Sequence, residues 1–381
     1  MTTVIRELVP EYIRELAPYI PGKPIEEVER ELKTTAIKLA SNENPLGPSP
    51  LAVEAAKKAL ARSNRYPDGS GTYLRDALAK KHEIPAENII LGGGSTELID
   101  LSARLVLRQV DCGVTSYGSF PLYYIAIRAT GARYVEVPQR DYHFDLDAMA
   151  EFLPPETKLI FLANPNNPTG TMFDADALDQ FLAQIPEHVL IVLDEAYCDY
   201  VERPNYTRSI ELVRGGRNMI VLRTFSKVYG LAGLRIGYGI GPAPLLDEMN
   251  KIRGPFNTSN VAQAAALAAI DDREHVRRSI ESNRAGLAQL SAGLTKLGIK
   301  FVPSFTNFLL VDFGFETEPL SDEMLKRGVI VRPMRWMGFP NCIRVSVGTY
   351  QENEKFLQVI AELRASQHHN SHKPGSNTDD Q

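Results

Sequence analysis

The middle of the chain alternates short apolar runs with amphipathic stretches. Residues 158–163 and 189–194 are almost continuously apolar, and shorter runs of the same kind occupy 88–91 and 219–222. Strands that are apolar on both sides are typical of a mostly parallel sheet covered by helices on both faces. The pattern therefore predicts an α/β fold, in which ligands bind beyond the carboxyl ends of the strands.

The pattern changes in the last third of the chain. Residues 261–297 form a long Ala-rich stretch with helical spacing, and apolar runs at 307–312 and 343–347 alternate with predicted helices at 322–327 and 352–364. We expect a smaller α+β domain here.

These changes predict four segments. They are an N-terminal arm (1–45), a large domain (46–260), a smaller C-terminal domain (261–366) and a disordered tail (367–381). The arm contains one predicted helix from Ile25 to Leu32. The tail is polar and carries three histidines. Its composition favours disorder over a metal site, and no metal site is predicted elsewhere.

Composition narrows the class of protein. The 381 residues include 42 Lys and Arg against 47 Asp and Glu, so a nucleic-acid partner is disfavoured. No apolar run approaches the roughly 18 residues that span a bilayer, and the first ten residues lack the apolar core of a signal peptide. The three cysteines are far apart, which fits a reducing compartment. We expect a cytoplasmic protein.

A lysine lies just past the end of the 219–222 run. Lys227 follows Ser226 and precedes Arg235 by eight positions. A lysine in this position can bind a carbonyl cofactor covalently, and the other two side chains are suited to a phosphate beside it. The alternative is a surface lysine in a glycine-bearing loop.

Two other strand ends carry polar side chains. Asp194 ends the 189–194 run, where a buried carboxylate would be costly without a cation such as a protonated pyridine ring. Residues 164–170, Asn-Pro-Asn-Asn-Pro-Thr-Gly, form a turn rigid enough to hold an asparagine toward a ligand. The alternatives are a helix N-cap for Asp194 and an ordinary asparagine-rich turn.

Three further features could complete a cofactor site. Residues 94–96, Gly-Ser-Thr, open a predicted helix whose N–H groups suit a phosphate, but their spacing matches neither a P-loop nor a dinucleotide fingerprint. Phe120 could stack on a flat ring, although most phenylalanines are core residues. Arg344, in an alternating strand, suggests an anionic partner, although a solvent-facing arginine is equally compatible with the pattern.

Taken together, these positions resemble the fold-type I aminotransferases of class I/II that depend on pyridoxal 5′-phosphate (PLP). Within them the chain is most similar to the histidinol-phosphate aminotransferase branch. The resemblance extends over about residues 16–363, and these segments carry it: 40–47, 65–69, 164–170, 194–197, 226–227 and 343–345.

The resemblance implies a role for each matching residue. Lys227 would bind the cofactor and transfer the substrate proton, and Asp194 would pair with the pyridine nitrogen. The remaining expected contacts are the phenolic oxygen for Asn167 and Tyr197; ring stacking for Phe120; the cofactor phosphate for Ser95, Thr96, Ser226, Arg235 and, more weakly, Thr224; the same phosphate from a partner subunit for Tyr66; the substrate carboxylate for Arg344; the distal end of the substrate for Tyr19 and Arg332; and the entrance for Asn44 and Gly47.

The implied activity is transfer of an amino group between glutamate or 2-oxoglutarate and a second substrate. Histidinol phosphate, an intermediate of histidine biosynthesis, is the first choice for that substrate. The family also implies a homodimer, with the arm packing partly on the small domain and partly on the partner subunit.

The sequence departs from the branch in two places. Phe120 stands where relatives often have tyrosine, and residues 332–339 are bulkier than the usual glycine-bearing stretch. They include Trp336, the only tryptophan of the chain, and Arg335, which could favour an anion. The alternatives are therefore an aromatic or specialised amino acid as substrate, a PLP-dependent decarboxylase or lyase, and a PLP-binding regulatory protein.

Overall fold

A seven-stranded sheet forms the centre of the large domain. The structure is a computed structural model that describes residues 6–19, 22–33 and 35–370, with side chains described up to residue 365. In spatial order the strands of the large sheet are Ile89–Gly92, Gly237–Ile240, Met219–Thr224, Leu190–Asp194, Thr157–Ala163, Cys112–Ser116 and Arg133–Val137. Gly237–Ile240 runs antiparallel to both neighbours, and the other neighbouring pairs are parallel. The predicted α/β fold is confirmed.

Helices cover both faces of this sheet. Ile191 and Leu193 point into one apolar core, whereas Leu190 and Val192 point into the other. A strand buried on both faces must be apolar at every position, which explains the continuous runs in the sequence. The helices of this domain are Pro50–Leu60, Thr72–His82, Ser95–Val106, Leu122–Ala129, Leu146–Glu151, Ala175–Gln184, Ser209–Arg214, Ala243–Ile252 and Asn260–Asp271.

The second domain is built on a four-stranded antiparallel sheet. Its strands, in spatial order, are Arg332–Met334, Phe339–Ser346, Phe308–Asp312 and Lys300–Val302. The helices Arg273–Lys296, Glu318–Lys326 and Tyr350–Asn370 supply the rest of the domain. Short 3-10 helices lie at Ala86–Asn88, Cys198–Tyr200, Ala232–Leu234 and Arg335–Met337.

The N-terminal arm is tied to this smaller domain. Its helices are Glu11–Arg14 and Ile25–Leu32, and its strand Ile37–Lys38 pairs in parallel with Val329–Ile330. The backbone N–H of Ser346 donates to the carbonyl of Leu39 at 2.8 Å. The arm therefore enters the molecule along the edge of the small domain.

The single long helix predicted over 261–297 is wrong, because the chain breaks at Asp272. The side chain of Asp272 accepts from the backbone N–H of His275 and caps the second helix. The first helix packs its buried alanines into the core of the large sheet, where Ala52 also lies. The predicted boundary at residue 261 precedes this helix, whereas the packing changes at Asp272.

Two other element ends differ from expectation. The final helix runs to Asn370, so the first residues of the predicted tail, 367–370, are helical. The rest of that tail, 371–381, lies outside the described residues. Across the described ranges, no helix combines the length and apolar character needed to cross a membrane.

Candidate active site

The carboxyl ends of three parallel strands meet at one edge of the large sheet. Asp194 ends its strand, Asn167 lies in the turn after Thr157–Ala163, and Lys227 follows Met219–Thr224. Neighbouring parallel strands end at the same edge, so three chain segments far apart in sequence converge. The small domain covers this edge with Arg332 and Arg344.

A cavity of about 290 Å³ lies between these groups. All but two of the predicted site residues line it. Those that do are Tyr19, Ser95, Thr96, Phe120, Asn167, Asp194, Tyr197, Thr224, Ser226, Lys227, Arg235, Arg332 and Arg344.

Asp194 is a buried carboxylate without a salt bridge to any described residue. Tyr123 donates its hydroxyl proton to Asp194 Oδ2 at 2.9 Å, and the backbone N–H of Ala196 donates to Oδ1 at 3.1 Å. Burial raises the pKa of Asp194 from 3.8 to about 6, although both hydrogen bonds act in the opposite direction. The site thus holds a carboxylate that a cationic ligand would stabilise.

Lys227 extends its amine across the cavity toward the arm. Its Nζ lies 3.5 Å from the carbonyl oxygen of Asn42 and 5.3 Å from the centre of the Tyr197 ring. Asn42 adopts a positive φ of 56° and donates its side-chain N–H to the Tyr197 hydroxyl at 2.9 Å. The backbone and side chain of Asn42 thus contact two groups that line the cavity.

The opposite end of the cavity is suited to an anion. Ser95 and Thr96 begin the helix Ser95–Val106, whose free N–H groups face that end. Arg235 donates from Nη1 to Ser226 Oγ at 3.3 Å, which brings a cation to the same place. A Cβ on Gly94, where φ is 77°, would lie 2.4 Å from Arg235 Nη2, so the turn requires glycine.

Arg344 is a buried cation on the small-domain side. It donates from Nη1 to Asn167 Oδ1 at 2.6 Å and from Nη2 to the carbonyl of Ala40 at 2.7 Å. Its Nε has no hydrogen-bond partner, and no carboxylate of the described residues pairs with it. Burial lowers the pKa of Arg344. A buried guanidinium with only neutral acceptors is a site for an anionic ligand.

Arg332 lies opposite Arg344 on the neighbouring strand. Its guanidinium carbon is 4.8 Å from the centre of the Trp336 ring and 5.9 Å from that of Tyr19. The two aromatic rings meet edge to face at 5.5 Å. Two cations therefore face the same end of the cavity.

Two predicted residues do not line the cavity. Asn44 donates its amide to the Val228 carbonyl at 2.8 Å and to Ser279 Oγ at 2.9 Å, so its side chain joins loops instead of facing the cavity. Tyr66 is 82% exposed and stacks on Phe256, and its expected role across a dimer interface stays a prediction.

Two residues that were expected near the entrance have local contacts. Gly47 has a positive φ of 72°, and its carbonyl accepts from His275 Nε2 at 3.2 Å. Arg335, considered above as an anion site, forms ion pairs with Glu316 and Glu318. Its charge is thus neutralised outside the cavity.

Sequence reasoning gave no role to several residues of this site. Tyr123 supports Asp194 from a helix, and a tyrosine hydroxyl aimed at a carboxylate leaves no local pattern in the sequence. Asn42 lies within the family-like segment 40–47, and Ser346 Oγ donates to its Oδ1 at 2.9 Å. Asn307 donates its amide to the carbonyl of Asn42 at 3.0 Å. The density of asparagines in segment 40–47 was the available clue.

The residues present fit PLP. The cofactor carries a phosphate, a ring nitrogen that can be protonated and an aldehyde. The helix end with Arg235 matches the phosphate, and the unpaired carboxylate of Asp194 matches a cationic nitrogen. Lys227 is an amine of the right kind for the aldehyde, and Phe120 lines the cavity beside Tyr123.

Comparisons with known proteins agree with this chemistry. A model of the family Aminotransferase class I and II matches residues 34–360. Histidinol-phosphate aminotransferase 1 of Nitrosococcus oceani is 47% identical over 349 residues, which cover 91% of this chain and 94% of the relative. The histidinol-phosphate aminotransferase of Moorella thermoacetica is 46% identical over 357 residues, covering 93% and 92%.

A solved structure extends the agreement to three dimensions. The crystal structure of histidinol-phosphate aminotransferase from Sinorhizobium meliloti in complex with PLP matches with a TM-score of 0.85 at 30% identity, covering 93% of this chain and 98% of that one. The predicted fold type is therefore confirmed. With the family model spanning most of its length, the chain belongs to the class I and II aminotransferases.

Proposed function

We propose that this protein transfers the amino group of histidinol phosphate to 2-oxoglutarate, and the reverse, in the cytoplasm. The observation that carries this proposal is the pair of buried cations, Arg332 and Arg344, at the end of the cavity away from Arg235. A phosphorylated amine and a dicarboxylate both place an anion there. Relatives that are 46–47% identical bear the name of this activity.

PLP is the cofactor of this enzyme, and it supplies an aldehyde that accepts the amino group and a ring that takes up electrons from the substrate carbon. Asp194 holds a negative charge beside the ring nitrogen. The phosphate end, formed by Ser95, Thr96 and Arg235, fixes the position of the cofactor. Phe120 stacks on the ring.

Lys227 moves the proton. Its Nζ takes the proton from the substrate carbon and returns it to the carbon of the former aldehyde, so one amine acts as base and then as acid. The carbonyl of Asn42 and the ring of Tyr197 are placed to hold this amine at the cavity wall. Asn167 and Tyr197 donate to the phenolic oxygen of the cofactor.

Arg344 receives the α-carboxylate of glutamate, and Arg332 with Tyr19 receives the distal group. Histidinol phosphate has no carboxylate, so its phosphate depends on the distal pair. The two arginines allow one cavity to accept two substrates of different shape, because each offers paired N–H donors to an anion.

The direct experiment combines spectroscopy with turnover. The purified protein reconstituted with PLP is expected to be yellow and to form glutamate from histidinol phosphate and 2-oxoglutarate. Lys227→Ala should lose both the characteristic absorption band and turnover, because no other described lysine lines the cavity.

Parallel assays with phenylalanine, tyrosine and histidinol as donors identify the substrate. A kcat/KM for phenylalanine or tyrosine above that for histidinol phosphate would contradict the proposed substrate. Release of an amine or of ammonia without consumption of 2-oxoglutarate would contradict aminotransfer itself.

We further propose a homodimer in which Tyr66 of one subunit reaches the cofactor phosphate of the other. The helix Pro50–Leu60 exposes Leu51 and Leu60, and Tyr73 is 78% exposed nearby. Apolar side chains this exposed on neighbouring elements are typical of a surface covered by a partner.

A further inference from the structure

The guanidinium of Arg332 rests on an indole ring. Trp336 contacts Arg332 at 4.8 Å and Tyr19 at 5.5 Å, and both of these residues line the cavity. Trp336 itself is 42% exposed. The indole therefore stands behind the cavity wall, with one side toward solvent.

The turn that carries Trp336 is fixed at both of its ends. On one side Arg335 is ion-paired with Glu316 and Glu318. On the other side Tyr117 donates its hydroxyl to the carbonyl of Gly338 at 3.1 Å. The next residue, Phe339, packs against Tyr142, with ring centres 5.8 Å apart. These anchors hold the indole in one place relative to both domains.

An arginine side chain has many rotamers, and an anion that binds it must restrict them. A ring beneath the guanidinium restricts them in advance and leaves the N–H edge free to face a ligand. We propose that Trp336 is a positioning residue for Arg332. It holds the guanidinium so that its edge receives the distal phosphate of the amino donor. This inference rests on the proposed function, because it names the group that Arg332 binds.

Steady-state kinetics of the holoenzyme test this role. Trp336→Ala should raise the KM for histidinol phosphate about five- to tenfold, the range expected from loss of one cation–π contact, with kcat changed less than about twofold. Trp336→Phe keeps a ring under the guanidinium and should stay within about twofold of wild type. Phe315→Ala is the matched control, because Phe315 is 45% exposed on the same domain and does not line the cavity.

The pattern of the three variants decides the outcome. Equal losses in Trp336→Phe and Trp336→Ala, or a fall in kcat with unchanged KM, would overturn a positioning role. So would an unchanged KM in Trp336→Ala. The same KM increase in Phe315→Ala would point to a general structural effect and overturn it as well.

A second measurement is independent of the substrate. Trp336 is the only tryptophan, so the intrinsic indole fluorescence of the protein comes from this site. In the holoenzyme the cofactor's own phosphate fills the end near Arg235, and added inorganic phosphate reports on Arg332. We expect a saturable change in fluorescence in the wild type that is lost in Arg332→Gln.

The two proposals fail in different ways. A wild type that does not turn over histidinol phosphate refutes the proposed function. A wild type without a saturable response to phosphate, or an Arg332→Gln variant with an unchanged response, refutes the link between Trp336 and Arg332.

Discussion

At the scale of single residues, the buried charges determine most of what this site can bind. Asp194 and Arg344 both lie away from water without an ion-pair partner among the described residues. Each costs stability in the ligand-free protein, and each gains a partner when cofactor or substrate arrives. The affinity of the site therefore depends on charges that the fold leaves uncompensated.

The raised pKa of Asp194 predicts how PLP binding varies with pH. Because burial raises the pKa of this carboxyl to about 6, it is protonated below that pH and offers no charge to the ring nitrogen. We expect the Kd of PLP to rise up to about tenfold per pH unit below pH 6. Fluorescence titration from pH 8 to 5 measures this, and Asp194→Asn should bind weakly with a flatter profile. Identical slopes in the two proteins would refute this origin.

The same shift has a consequence for stability. A carboxyl whose folded pKa lies above its ordinary value of 3.8 favours the folded state most when protonated. In the ligand-free protein its contribution is therefore lost as the pH rises from about 4 through 6. PLP should remove this loss, because a cation beside the carboxylate lowers its pKa again.

Arg344 allows substrate binding and cofactor binding to be separated. Arg344→Ala should raise the KM for glutamate by about 30-fold or more, as expected when a buried charge pair loses one partner. The absorption spectrum of bound PLP should change little, because only the contact to Asn167 near the cofactor is lost. Arg344→Lys keeps the charge without the paired donors and should be intermediate. Equal losses of substrate and cofactor binding would contradict the assigned role.

At the scale of elements, the sequence predicted the strands better than the breaks between helices. Strands such as Leu190–Asp194 are buried on both faces, and a continuous apolar run records this directly. The break at Asp272 was missed because Ala-rich and amphipathic helices follow each other without Gly or Pro. One capping side chain separates them. Propensity cannot show such a break when the residues on both sides favour a helix.

The candidate site was predictable to a similar extent. Side chains at strand ends, such as Lys227 and Asp194, lie where the topology of a parallel sheet brings ligands. Asn44 could not be placed from sequence, because its amide is used by Val228 and Ser279, which are distant along the chain. The stack of Arg332 on Trp336 likewise depends on the path of one turn.

The cap at Asp272 gives a prediction at this scale. Asp272→Ala should lower the free energy of unfolding by about 1 kcal/mol, because the N–H of His275 loses its acceptor. Asp271→Ala, which removes a neighbouring exposed carboxylate, is the control and should change stability by less than about half of this. Chemical denaturation of the holoenzymes measures both. Equal effects would show that Asp272 does not act as a cap.

At the scale of the whole molecule, the site requires both domains and, by our proposal, two chains. We predict a dimer in analytical ultracentrifugation. Tyr66→Phe should remain dimeric but bind PLP several-fold more weakly, because the hydroxyl that reaches the partner's cofactor is lost. Tyr73→Phe serves as a control with equal loss of a hydroxyl from an exposed tyrosine. A monomer with full PLP affinity would refute the arrangement.

The arm also limits where this protein tolerates a change in length. Lys38 is fixed to the small domain by strand pairing, and Asn42 is fixed beside Tyr197 and Lys227. Only three residues connect these two anchors, and each residue spans at most about 3.6 Å. An insertion or deletion between them would detach one anchor. We therefore expect natural and engineered variation in chain length to fall before Ile37 and to be absent from residues 39–41.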